Sequence, residues 1–288
     1  MHDSQNLKSA LFMVLSMALF TSGDAMIKFL SDELPIGQIL FVRGIFVCLL
    51  FCLLLKFKKQ PILPREAWNR WNLLRSVFEV LIAGCYLTGL VLLPLATAVI
   101  LVFCGPIMLT ILAATVLKEQ VGWRRWGAVV VGFIGVILVA DLQQASLNSW
   151  AVLLPLAAAF LTALRDISVR NIPSILSSSQ IAFTTAWMVT LAGLATLPFG
   201  WQALNVQQLG LLGIASFFIM GAYTTYIITT RMGELSFVAP FKYSSIPLAM
   251  LIGYLVWADV PSSSSILGTG VIIASGMFIL LRKRKTKV

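Results

Sequence analysis

The sequence predicts an all-α integral membrane protein of ten transmembrane helices, arranged as two inverted five-helix repeats. Three observations carry that prediction. The chain is too apolar for a soluble domain, its apolar stretches recur at membrane-spanning length, and its unusual residues recur at an offset near half the chain. Of 288 residues, 59% are hydrophobic and 11% charged, and the mean hydropathy is +0.94. Soluble domains run roughly 45–50% apolar and about 25% charged. The stretches approach roughly 20 residues, which suits helices that satisfy their own backbone groups rather than the ~10-residue alternating strands of a barrel.

Ten such stretches are expected at about 9–30, 36–55, 73–92, 96–117, 127–141, 150–168, 180–198, 208–229, 236–257 and 265–281. They leave only short loops, so one polytopic domain is expected. The first stretch is too long for a signal-peptide core and carries Asp24 and Lys28, so it is expected to remain as a span.

Sidedness follows from lysine and arginine. Lys8, Lys56, Lys58, Lys59, Arg65, Arg70, Lys118, Arg124, Arg125, Arg170, Arg231, Arg282, Lys283, Arg284, Lys285 and Lys287 all fall on one side. The opposite loops, near 31–35, 93–95, 142–149, 199–207 and 258–264, contain none. Both termini are therefore expected in the cytoplasm. The net charge of +10 is explained by these flanks without nucleic acid as a partner. The basic run 282–287 reads as a stop-transfer flank or as a contact for anionic lipid headgroups.

The residues that carry most chemistry are scarce. The only histidine is His2, and Cys48, Cys52, Cys85 and Cys104 lie in apolar runs. That composition predicts no metal site, no disulfide framework and no cofactor. With no G-x-x-x-x-G-K-[ST] loop, transport powered by ATP within this chain is not expected.

The repeat is read from residue types in register. Asp24 and Lys28 match Asp166 and Arg170 at an offset of 142, and Pro106 matches Pro247 at 141. Glu119 matches Asp259 at 140, and Gly127 and Gly135 match Gly268 and Gly276 at 141. Five crossings per repeat is an odd number, so residues 1–141 and 142–288 are expected to enter the membrane from opposite sides.

These features resemble a known family. The 5+5 repeat, Lys118-Glu119-Gln120 followed by Trp123-Arg124-Arg125-Trp126-Gly127, Phe41-Val42-Arg43, and Pro240-Phe241-Lys242-Tyr243 are similar to the EamA-type branch of the drug/metabolite transporter superfamily. The resemblance implies a secondary carrier of small organic solutes in a bacterial inner membrane, working by alternating access. Within the branch it looks most like the group that includes S-adenosylmethionine and riboflavin uptake carriers. A multidrug or lipophilic-cation exporter is the alternative. A channel or a membrane-embedded enzyme would need a pore ring or a catalytic constellation, and neither is evident.

Ionisable groups inside a membrane require a partner or a task. Glu79 shares a helix face with Arg75 at i−4 and Tyr86 at i+7. It reads as a cavity carboxylate for a substrate amine or a coupling proton, or as a structural pair with Arg75. Arg43 needs a counter-anion: a substrate carboxylate or phosphate, Asp24, or Glu79. Glu79 and Arg43 are expected to form the central charged pair. Lys242, after Pro240, is expected either to bind an anionic group or to snorkel to the interface. Asp24/Lys28 and Asp166/Arg170 read as symmetric gate or stability pairs. Tyr86, Tyr223 and Tyr226 are expected aromatic walls, and Pro106 and Pro247 quasi-symmetric helix breaks.

Overall fold

The computed structural model describes residues 2–31, 33–92, 101–139, 150–257 and 263–283. The loops 93–95 and 142–149, Asp259 and residues 284–287 lie outside them, as does the side chain of Lys28. The described residues hold ten helices of eleven residues or more: α1 (His2–Ser31), α2 (Ile36–Phe57), α3 (Arg70–Leu92), α4 (Gly105–Thr115), α5 (Trp123–Val139), α6 (Leu153–Ser168), α7 (Ser178–Leu194), α8 (Val206–Met232), α9 (Ser245–Trp257) and α10 (Ser263–Lys283). Among the described residues there is no strand.

Local chemistry sets several boundaries. Pro35 precedes α2. Ser177 with Gln180 and Asn205 with Gln208 form reciprocal capping boxes that satisfy the first amides of α7 and α8. Pro106 stands in the first turn of α4, where a missing N–H costs nothing. The expected span 236–257 is not one continuous helix. A single turn, Leu235–Val238, leads into a 3-10 stretch, Ala239–Ser244, with Pro240 in its first turn, and only then does α9 begin, with Pro247 near its start. Both prolines of the expected quasi-symmetric pair therefore stand at helix starts.

Among the described residues, five segments are long and apolar enough to cross a membrane: Gln5–Ser31, Ile36–Phe57, Trp150–Asn171, Val206–Met232 and Leu235–Val256. The helices α5 and α7 are 17 residues each, about 25 Å long. The residues turn inside out relative to a water-soluble protein. Leu11 and Leu15, Leu49 and Leu53, Val130 and Ile134, and Leu251 and Leu255 form exposed i,i+4 stripes. Arg75, Asn72, Ser76, Asp166, Thr185 and Lys242 are buried. Contiguous apolar surface of that kind is a liability in water and is the lipid-facing surface of a membrane protein.

The helices pair as α1 with α8, α2 with α7, α3 with α6 and α5 with α10. Small residues allow the close approaches. Gly44 faces Thr190, and a Cβ on Gly193 would sit 2.8 Å from the amide of Phe41 and 3.0 Å from the carbonyl of Gly37. A Cβ on Gly135 would sit 2.9 Å from the carbonyl of Gly268. Because the obstructing atoms are backbone, α2 and α7 must separate to admit a methyl group. Gly193→Ala is therefore expected to cost about 1–3 kcal/mol. Gly210→Ala, on α8 with no heavy atom within 4 Å of the added Cβ, is expected to be neutral or to stabilise by about 0.5–1 kcal/mol. Thermal unfolding of the two variants checks the ordering, and an unchanged melting temperature for Gly193→Ala would contradict the close crossing.

Candidate functional site

A buried charge in a membrane bundle must be met by opposite charge and hydrogen bonds, because water is not there to solvate it. Asp166, on α6 and 0% exposed, has its carboxylate fully engaged. It accepts from Arg165 Nε at 3.1 Å and Nη2 at 2.9 Å, and from the Tyr226 hydroxyl at 2.8 Å, and it is ion-paired with Lys242. Arg165 reaches on to Glu79 of α3, donating from Nη1 to Oε2 at 2.8 Å. Its Nη2 also donates to the Tyr226 hydroxyl at 2.7 Å. Tyr223 Oη donates to the other Glu79 oxygen at 3.3 Å.

The cluster thus holds two carboxylates and two cations and is neutral as a set. Arg165 and Lys242 also lie over the Tyr226 ring, 4.8 and 5.3 Å from its centroid, where the ring face stabilises cations. Lys242 comes from the 3-10 stretch, and its burial excludes snorkelling to the interface in this conformation.

Several expected pairings are corrected. Glu79 is ion-paired with Arg165 and not with Arg43 or with Arg75. Asp166 does not pair with Arg170. Helix α6 ends at Ser168, and Arg170 falls in the 3-10 turn Val169–Asn171, whose tighter winding takes it off the i+4 face. Arg170 instead donates to the Gly233 carbonyl and faces Glu119 at 4.0 Å. Arg165, the centre of the network, is the charged residue to which the sequence assigned no role. The signal was present: an arginine inside a span, next to Asp166, carries the same need for an anion as Arg43.

Arg75 is 0% exposed and bonds to the Thr185 hydroxyl through Nη1, while its Nε and Nη2 have no partner. It lies within electrostatic reach of Glu79. Arg43 is 9% exposed, and its backbone carbonyl accepts from Ser216 on α8 at 3.1 Å. Asp24 is exposed and makes no ion pair with Arg43. Of the tyrosines, Tyr223 and Tyr226 meet at the network, and the Phe20 ring packs edge-on against both, at 5.4 and 6.1 Å.

At the basic end, Glu119 accepts from the amides of Leu235 and Ser236 at 3.1 Å and from the Ser236 hydroxyl at 2.6 Å. Arg125 pairs with Glu234 and donates to Ser236 Oγ at 2.9 Å. Together with Arg170, these bonds tie the α4–α5 connection and the end of α6 to the segment between α8 and α9.

The EamA-like transporter family matches residues 7–140. A riboflavin transporter of Vibrio cholerae serotype O1 is 32% identical over 212 residues, which are 73% of this chain and 70% of that protein. The chain belongs to the EamA-like transporter family. An S-adenosylmethionine uptake transporter of Rickettsia prowazekii is 24% identical over 279 residues, 95% of this chain and 92% of that protein. A solved crystal structure superposes on 97% of the chain and 99% of its own length with a TM-score of 0.80 at 15% identity, a likeness of fold. This EamA-like chain is thus a multi-pass membrane protein that transports a small metabolite and is not an enzyme.

Removing one partner from a buried network leaves an uncompensated charge, at about 3–5 kcal/mol. Asp166→Asn is expected to destabilise the protein by that amount in detergent thermal unfolding, and adding Lys242→Met is expected to restore part of the loss. A melting temperature equal to that of the wild type would show that the network is solvated.

Proposed function

We propose that the protein is a secondary carrier of a small amphipathic organic metabolite that works by alternating access in a bacterial inner membrane, with both termini cytoplasmic. The two halves, residues 1–141 and 142–288, act as inverted repeats. The pairing pattern supports this. Exchanging helix n with helix n+5 turns the α1–α8 contact into α6–α3, and returns α2–α7 and α5–α10 to themselves. Such closure under exchange is what a pseudo-two-fold axis between two five-helix halves requires.

The observation that carries the mechanism is the bridge from Glu79 of the first half to Arg165 of the second. Rocking the halves apart breaks that bridge. Arg75, one turn below Glu79 with two guanidinium nitrogens unsatisfied, then receives the carboxylate, so Glu79 exchanges one arginine for another and is never left unpaired in the bundle. Neutralising Glu79 would also remove the bridge, so Glu79 is assigned the coupling proton.

Solute counterflow in proteoliposomes tests these roles. Glu79→Gln is expected to slow exchange about tenfold or more, in the range of a lost buried ionic interaction, with a smaller loss of melting temperature than Asp166→Asn. Its residual rate is expected to ignore an imposed proton gradient that accelerates the wild type. Arg75→Met removes unsatisfied donors and is expected to raise the melting temperature while slowing exchange. Unchanged counterflow in Arg75→Met would remove the partner exchange.

The names of the relatives make S-adenosylmethionine and riboflavin the first solutes to try, with amino acids and lipophilic cations beside them. A ligand of the folded state at about 100 times its Kd adds ~2.7 kcal/mol of stability. A thermal shift by one chemical class supports the carrier reading. Weak shifts by many unrelated cations would favour multidrug export.

A further inference from the structure

Three arginines at the basic end of the bundle spend their donors inside the protein. Arg125 pairs with Glu234, Arg170 meets the Gly233 carbonyl and Glu119, and Arg231 donates to the carbonyls of Leu176 and Pro173 at 2.6 and 3.3 Å. The segment that joins α2 to α3 is different. Lys56, Lys59, Arg65 and Arg70 are exposed, and their side chains make no hydrogen bond or ion pair among the described residues. Lys58 reaches the Ser179 hydroxyl at 3.4 Å. From Lys56 to Arg70 these five cations stand against one carboxylate, Glu66.

The segment has a fixed shape. Helix α2 closes in a Schellman arrangement, with the Lys59 amide donating to the Lys56 carbonyl and the Gln60 amide to the Leu55 carbonyl, both at 2.9 Å. That closure puts Lys59 in the left-handed region, at φ 51°. Glycine is the usual occupant there, because a Cβ crowds the following carbonyl. A lysine costs stability that a glycine would not, and the helix dipole already has Lys56 in its last turn. Beyond the turn, Ser177 donates to Gln60 Oε1 at 2.9 Å, Gln180 Nε2 to the Pro61 carbonyl at 2.8 Å, and Asn72 Nδ2 to the Ala67 carbonyl at 2.8 Å. Leu55, Ala67 and Leu176 share one buried cluster beneath these bonds, so the cations stand around a single supported patch. Phe57, 85% exposed, and Trp68, 57% exposed, belong to the same segment. The Arg70 guanidinium lies 5.1 Å from the centroid of the Trp71 ring, which orders it without using its donors.

We infer that this patch binds an anionic phospholipid of the leaflet at the basic end, with Lys59, Arg65 and Arg70 on the headgroup phosphate and Phe57 and Trp68 among the upper methylenes of its chains. A soluble anion would use the cations and leave the apolar side chains idle. A zwitterionic phospholipid would bring its own ammonium to a patch that is already positive. The inference needs only that the chain spans a membrane, and it holds for any solute carried.

The test titrates dioleoylphosphatidylglycerol, dioleoylphosphatidylcholine and glycerol phosphate into the full chain in dodecyl maltoside, reading bound lipid by native mass spectrometry and stability by thermal unfolding. Phosphatidylglycerol is expected to bind and to raise the melting temperature, phosphatidylcholine to bind about tenfold more weakly or worse, and salt at about 1 M to remove most of that difference. Lys59→Gly is expected to weaken phosphatidylglycerol about fivefold, the effect of one cation near the headgroups, while the lipid-free melting temperature stays level or rises because the left-handed turn is relieved. Arg65→Gln is expected to show the same loss of lipid. Lys8→Gln, which removes an exposed cation of α1, is expected to change binding by about twofold at most. Equal losses in Lys8→Gln and Lys59→Gly would reduce the attraction to the diffuse field of a basic flank and overturn the site. Equal binding of the two phospholipids would overturn it too. Glycerol phosphate binding as tightly as phosphatidylglycerol would make the patch a free-anion site and overturn the lipid assignment.

Discussion

The constraint on which the rest of the structure depends is the fork of Arg165. Its guanidinium meets a carboxylate from its own helix, Asp166, and one from α3, Glu79, with the Tyr226 hydroxyl between them. None of these groups would be stable at that depth alone. Asp166 needs Lys242 as well as Arg165, and Lys242 reaches it because the chain abandons the α-helix between Ala239 and Ser244. Pro240, which lacks an amide donor, fits the first turn of that tighter stretch. The departure from regular helix is thus tied to a charge requirement.

The two ends of the bundle are tied by different chemistry. At the basic end, Glu119 holds the first amides of the turn Leu235–Val238, while Arg125 and Arg170 bind the segment just before it. These contacts fix the segment that delivers Lys242. Toward the other end the ties are made by amides: Gln38 donates to the Gln202 carbonyl at 2.6 Å and accepts from its N–H at 2.9 Å, and Glu33 accepts from Gln208 at 2.6 Å.

Much of this was legible in the sequence, and the part that was not has a physical reason. Apolar length predicted most of the long helices among the described residues, because backbone satisfaction in lipid leaves no other choice for such stretches, and it missed the break within 236–257. The charges inside the bundle were readable in part, since Glu79, Arg43, Asp166 and Lys242 stand out by their cost while Arg165 went unassigned. Their partners were not. Asp166/Arg170 was inferred from i,i+4 spacing, which holds only while the helix continues. The α6 helix stops at Ser168, and Asp166 is claimed by residues 1 and 76 positions away in the chain. Arg43 and Glu79 were joined by sign alone, although a neutral set of charges can be paired in more than one way. Packing of α3 on α6 decided in favour of Arg165.

On the proposed carrier reading, that choice gives the bundle a way to respond to a bound solute. The Tyr223 hydroxyl rests on Glu79, and its ring meets Phe20. On that reading, a solute lying on Phe20 and Tyr223 touches a side chain that donates to the carboxylate bridging the two halves. Binding energy gained at these rings can therefore act on the Glu79–Arg165 bridge through a single residue. If the occupied site favours the rocked state, the bias must come from a difference in contacts between the two states, and the Tyr223–Glu79 bond is a contact that the solute and the bridge have in common.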